Sequence, residues 1–145
     1  MRSLIRLECK KTTISEVIHY IDILRLPNSY TEPTHIFLLN AEVGGGKTYL
    51  VNEYVKTKGI TESSSPSFAF IHEYEKKIFH YDLYLKNDIH AKTKLLESLI
   101  LDGIHFVEWG DFFLLEKLQN LGFFVVLIQI TNTQDNNARI YDFFV

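Results

Sequence analysis

Residues 40–50 read NAEVGGGKTYL. The run Gly44-Gly45-Gly46-Lys47-Thr48 has the make-up of a loop that holds phosphate. The usual spacing is glycine, any four residues, then Gly-Lys-Ser/Thr. Counting back from Gly46 puts the first glycine at position 41, where this chain has Ala41. The flanks support the motif. HIFLLN, residues 35–40, is a continuous apolar run, as expected of a strand buried on both faces. KTYLVNEYVKTK then reads as a helix stopped by Gly59. In that setting the first N–H groups of the helix and the loop amides point at one spot and favour an anion. Glycines at 44, 45 and 46 let the backbone approach phosphate with no Cβ in the way. Lys47 would place its ammonium between the β- and γ-phosphates, and Thr48 would offer its hydroxyl to Mg²⁺. Alanine suits position 41 if φ there is negative and is penalised if φ is positive. The expectation is a negative φ.

Outward from the loop, apolar periodicity assigns the other elements. SLIRLEC, residues 3–9, alternates as a short strand. Ile14, Val17, Ile18, Ile21 and Leu24 form one face of a helix, with Thr12 or Thr13 as its cap. FAFIHEY (68–74) and KIFHYDLY (77–84) are β-rich runs joined by a short charged turn, and so predict a hairpin. IHAKTKLLESLI reads as a helix, GIHFVEW (103–109) as a strand, and DFFLLEKLQNL as a helix closed by Gly122. FFVVLIQIT is a further strand, and RIYDFFV reads as a terminal edge strand. Strands alternating with helices predict an α/β, three-layer, P-loop NTPase-like fold. Its central sheet would be mixed, partly parallel, and carry a β-hairpin. No proline-rich or low-complexity linker splits residues 1–145, which read as a single domain.

Composition narrows the function classes. The chain has 145 residues, 46% hydrophobic and 23% charged, with a net charge of −3. That is an ordinary globular composition with no general basic field for gripping DNA. The single cysteine, Cys9, excludes an internal disulfide. MRSLIRLECKK lacks the apolar core of a signal peptide. The longest apolar run, LGFFVVLI, is far shorter than the roughly 20 residues needed to span a bilayer. A cytoplasmic location with no membrane partner is the expectation.

A phosphate loop needs an acidic group to manage Mg²⁺ and the attacking water. Glu108 is the first candidate, because it ends the apolar strand IHFV, where an α/β sheet presents ligand-binding side chains. Asp82, in HYDLY, is the next, since it also terminates a strand-like run. An ordinary solvated strand-end acid is the plain alternative for Glu108. Trp109 either flanks the site or packs in the core. His72, His80 and His105 have no matching ligand set and read as structural. The four arginines are Arg2, Arg6, Arg25 and Arg139, with none from residue 26 to 138. A small-molecule kinase usually clamps phosphate with lid arginines, because guanidinium binds it bidentately. An arginine supplied in trans is worth about 10³ to 10⁵ in rate. Slow hydrolysis alone and dependence on a partner are therefore expected.

Four stretches in order, LLNAEVGGGKT, SSPSFAFIHEY, FHYDLYL and FVEW, resemble the TsaE family (formerly YjeE). These are small P-loop ATPases of bacterial tRNA threonylcarbamoyladenosine synthesis. The resemblance is strong over about residues 36–110. The family's Gly-Asp-Leu-Gly-Ala-Gly-Lys-Thr loop is matched by residues 41–48. Its Ser-Pro-Thr-Phe/Tyr element, a switch near the γ-phosphate, is matched by Ser65, Pro66, Ser67 and Phe68. Its His-Phe-Asp-Leu-Tyr-Arg element is matched by residues 80–84, with Leu85 in place of the arginine and Lys86 following. Its Glu-Trp pair is matched by Glu108 and Trp109.

The resemblance implies ATP and Mg²⁺ as ligands. Val43, Gly44, Gly45, Gly46, Lys47, Thr48 and Tyr49 would contact the nucleotide, with Ser67 and Trp109. The base would lie near Cys9 to Thr13, with Thr12 and Thr13 as its contacts. Lys47, Asp82 and Glu108 are the implied catalytic residues, and Thr48 and Glu108 the metal ligands. The implied partners are TsaD and TsaB, with tRNA reached indirectly through their complex. Hydrolysis would reset that complex between rounds. Ala41 and Leu85 motivate a second reading, a nucleotide-sensing module that does not hydrolyse. A small-molecule P-loop kinase is a third.

Overall fold

A computed structural model describes residues 2–27, 32–42, 44–60, 65–68 (backbone only), 70–83 and 88–145. Its strands are β1 (Ser3–Lys10), β2 (Ile36–Asn40), β3 (Ser65–Phe68), β4 (Ile71–Tyr74), β5 (Ile78–Asp82), β6 (Ile104–Glu108), β7 (Val125–Asn132) and β8 (Ala138–Phe144). Its helices are α1 (Ser15–Leu24), α2 (Lys47–Thr57), α3 (Ile89–Leu99) and α4 (Phe112–Asn120). The strands form one sheet in the order β1-β8-β7-β2-β6-β5-β4-β3.

The centre of the sheet is parallel and its flanks are antiparallel. β2 runs parallel to both β6 and β7, and β5 runs parallel to β6. β2 and β6 are fully apolar and buried over Ile36–Leu39 and Ile104–Val107, apart from His105, because helices cover both faces there. Two-residue alternation divides those side chains. Phe37, Leu39, Ile104 and Phe106 pack against Val17 and Ile21 of α1 and Leu50 and Tyr54 of α2. Ile36, Leu38 and Val107 face Leu95 and Leu99 of α3 and Leu115 and Leu118 of α4. The result is the expected three-layer α/β sandwich with a mixed sheet. Among the described residues no helix is long and apolar enough to cross a membrane.

Three local expectations change. RIYDFFV is not an edge strand: β8 lies between β1 and β7, and β1 and β3 are the edges. The N-terminal strand returns to cover β8 as an antiparallel neighbour, which sequence spacing does not encode. The run 68–74 is not one strand. β3 ends at Phe68 and β4 begins at Ile71, and the two pair antiparallel. The expected hairpin survives as β4 and β5, turned through Glu75–Lys77. Neither Thr12 nor Thr13 caps α1, whose N-cap is Ile14. Both lie in a 3-10 turn over Lys11–Thr13, where Thr13 Oγ1 accepts from the Lys10 amide and donates to the Lys10 carbonyl.

The crevice follows from the crossovers. β2 feeds α2 on one face, whereas β6, its neighbour, feeds α4 on the other. The chain therefore diverges above the C-terminal ends of β2 and β6. An open α/β sheet presents its ligand site at such a divergence.

Candidate phosphate and metal site

The glycine loop leaves the end of β2 and enters α2 at Gly46. Gly44 and Gly46 have φ of +75° and +103°, where a side chain would be strained. Gly45 is required for a different reason. A Cβ there would lie 2.7 Å from both the Ala41 methyl and the Glu42 carbonyl oxygen. That carbonyl accepts the Gly45 amide at 2.8 Å, which closes the turn. Ala41 is buried and outside the left-handed region, so its methyl is unstrained, as expected.

The N-cap Gly46 gives α2 no side-chain cap. The first amides of α2 are left without intrahelical partners and open toward the crevice. This arrangement fits a phosphate group: uncapped helix amides, two left-handed glycines and a lysine at the first helical position.

Lys47 is 5% exposed. Its ammonium donates to the carbonyls of Ala41 at 3.2 Å and Glu42 at 3.4 Å, and lies 3.7 Å from the centre of the Trp109 ring. Burial pushes the ammonium's pKa below its ordinary value, against the pull of Glu108 and Asp82. Trp109 holds its ring there from a left-handed backbone, φ +67°, a conformation that costs a non-glycine residue about 1–2 kcal/mol. Trp109 thus flanks the site and does not fill the core.

Glu108 ends β6 and is 4% exposed. The Thr48 hydroxyl donates toward both its oxygens, at 2.9 and 3.1 Å, and His80 Nε2 meets its Oε2. Burial alone would push the Glu108 carboxyl up. The hydrogen bond and charge of His80, the Thr48 hydroxyl and the Lys47 charge together outweigh it and hold the group below the ordinary carboxylate value. Asp82 is exposed and directly registered with Glu108 across the β5–β6 pair. Period two places His80, Asp82 and Glu108 on the same sheet face as α2.

A cleft of about 420 Å³ gathers Gly44 to Tyr49 with Asp82, Glu108 and Trp109. Among the described residues no three His, Cys, Asp or Glu side chains converge as a metal cage. One hydroxyl and one carboxylate are nevertheless a fitting set for Mg²⁺, which keeps waters and takes phosphate oxygens alongside one or two carboxylates.

Beside the cleft, a cavity of about 130 Å³ shares Gly44, Gly46 and Tyr49. Its other walls include Cys9, Lys11, Asn137 and Arg139. The loop is therefore not remote from arginine, although none lies between residues 26 and 138. The β7–β8 turn brings Arg139 to it, with Nη1 tied to the carbonyls of Asn136 and Ala138. Lys11 adds a second cation. Thr12 and Thr13 are exposed one turn away and line neither space. Lys56 and Lys58 are engaged with Glu53 and Asp22 on the outside of α2. Val43, Tyr84, Leu85 and Lys86 lie outside the described residues. Ser67 is placed only as backbone in β3.

His80 is the residue that sequence reasoning assigned to structure and that the fold brings to the site. Its alternation with Asp82 was readable, but the β5–β6 register that aims both at α2 was not.

The family model described as Threonylcarbamoyl adenosine biosynthesis protein TsaE matches residues 13–140. The chain belongs to the TsaE family. The tRNA threonylcarbamoyladenosine biosynthesis protein TsaE of Rickettsia felis is 31% identical over 86 residues, covering 55% of this chain and 50% of that protein. The protein of the same name from Rickettsia typhi is 28% identical over 115 residues, 75% of this chain and 76% of that protein. The one from Synechocystis is 34% identical over 85 residues, 52% and 54%. The chain thus spans about half the length of the first and third of these relatives. The crystal structure of Bacillus subtilis YdiB superposes with a TM-score of 0.61 over 99% of this chain and 86% of that one, at 21% identity. That likeness shows a shared fold.

Proposed function

We propose that this chain binds ATP with Mg²⁺ and hydrolyses it, slowly alone and faster with TsaB and TsaD, in the synthesis of threonylcarbamoyladenosine in tRNA. Membership of the TsaE family supplies the pathway, and the relatives named above carry it in their descriptions. The observation that carries the chemistry is the convergence of Lys47, Thr48 and Glu108 above the ends of β2 and β6.

The roles follow from the side chains. Lys47 would leave its loop carbonyls for the terminal phosphates. Thr48 and Glu108 would hold Mg²⁺, which when bound neutralises charge between phosphate oxygens. Asp82, exposed and level with Glu108, is disposed to orient water and accept its proton. The uncapped amides of α2 would hold the β-phosphate. Hydrolysis would then reset the TsaB–TsaD assembly.

The deciding experiment is ATP turnover with and without TsaB and TsaD, for wild type and Lys47→Ala. Stimulation that depends on Lys47 is the expected outcome. Equal turnover by the two proteins, with no stimulation, contradicts the proposal. The pocketing of Lys47 against Ala41, Glu42 and Trp109 favours a second reading, a nucleotide-sensing module that does not hydrolyse. Tight ATP binding with no phosphate release, even with partners, would select it.

A further inference from the structure

We propose that His80 is a positioning residue, whose Nε2 fixes the Glu108 carboxylate in the orientation that holds magnesium beside Thr48. The inference rests on the magnesium–nucleotide reading above and adds a residue that acts only through Glu108.

Geometry carries it. β5 and β6 are parallel with His80 opposite Phe106 and Asp82 opposite Glu108. His80 and Glu108 are therefore diagonal neighbours on the face that meets α2. Both are nearly closed to solvent, at 7% and 4% exposed, so water cannot easily replace a lost partner. An ionised carboxylate only accepts, so the His80 nitrogen facing it carries the proton. Glu108 Oε2 is then held by His80 of β5, and the Thr48 hydroxyl of α2 approaches both oxygens. The carboxylate is held from two separate elements.

Without His80, Thr48 is, among the described residues, the one remaining side-chain hydrogen-bond donor to Glu108, and the Lys47 charge still acts on it. The carboxylate is then free to turn toward Lys47. That would withdraw a metal ligand. Groups that hold a metal ligand in place from behind typically matter about 10–100-fold in metal affinity.

The test is nucleotide affinity by calorimetry, in EDTA and across a magnesium titration, for wild type, His80→Ala, His80→Gln and Lys47→Ala. The expected result is that His80→Ala binds nucleotide in EDTA as wild type does but needs about 10–100-fold more magnesium to reach full affinity. His80→Gln, whose amide can donate to the carboxylate, should recover much of that loss. An unchanged magnesium midpoint in His80→Ala overturns the inference. So does an equal loss of affinity with and without magnesium, which would mark a purely structural residue. If His80→Ala does not fold, His80→Leu, which fills the space without donating, decides: a raised magnesium midpoint supports the inference and a wild-type midpoint overturns it. If wild type binds no nucleotide, the ATP reading itself falls and this inference falls with it. If wild type binds and loses affinity with Lys47→Ala, a negative His80 result counts against His80 alone.

Discussion

The Thr48 hydroxyl donates toward both oxygens of Glu108, tying the first turn of α2 to the end of β6. That contact joins residues 60 positions apart. Thr48→Ala should weaken magnesium-dependent nucleotide binding about 10–100-fold and leave binding in EDTA nearly unchanged. Glu108→Ala should spare nucleotide binding in EDTA but raise the magnesium needed for full affinity, and should lower hydrolysis by about 100-fold or more. Equal phosphate release by wild type and the Glu108 variant would refute that assignment.

Trp109 is the only tryptophan, and the Lys47 ammonium lies over its ring. Nucleotide that draws Lys47 toward phosphate removes a cation from the indole face. Trp109 emission should change on saturation with nucleotide, and Lys47→Met should abolish the change. A flat fluorescence titration alongside calorimetric evidence of binding would show that Lys47 does not move.

The loop glycines predict unequal effects. Gly45→Ala drives a methyl into Ala41 and the Glu42 carbonyl, so the turn must open and nucleotide affinity should fall sharply. Ala41→Gly leaves the turn intact and mainly adds unfolded-state freedom, lowering stability by about 0.4–1 kcal/mol. Urea unfolding and calorimetry on both variants separate the two effects. Similar nucleotide affinities for the two would contradict the steric account.

His105 gives a pH dependence outside the site. Its Nε2 donates to the Leu101 carbonyl at 2.8 Å, so Nδ1 accepts from the Tyr81 hydroxyl at 2.7 Å, and the ring stacks on Phe79. Burial pushes its pKa from 6.5 to about 4. Below pH 6.5 the unfolded chain takes a proton that the folded chain refuses. Stability therefore falls as pH drops from about 6.5 toward about 4, by on the order of 3 kcal/mol from this group. His35, also lowered by burial and by Arg25, acts in the same direction. Glu108, held low, contributes stability that is lost at still lower pH. Urea unfolding of wild type and His105→Gln at pH 7.5 and 4.5 measures the difference. The variant should lose less stability across that range, and an identical loss would remove His105 as the cause.

Local patterns in the chain were sufficient for the layered α/β fold, for α2, for the β4–β5 hairpin and for the phosphate loop. These are encoded over a few residues, by apolar period, glycine spacing and turn chemistry. The same local logic named Lys47, Thr48, Asp82, Glu108 and Trp109 as candidates, because strand ends and helix starts can be read one element at a time. Strand order and register are different, since they depend on which apolar faces bury each other at long range. Only the folded sheet placed β8 inside β1, aimed His80 at Glu108 and carried Lys11 and Arg139 to the glycine loop. Those positions are set by contacts among β1, β5, β6 and β8, whose energies come from burial and pairing rather than from any short stretch of sequence.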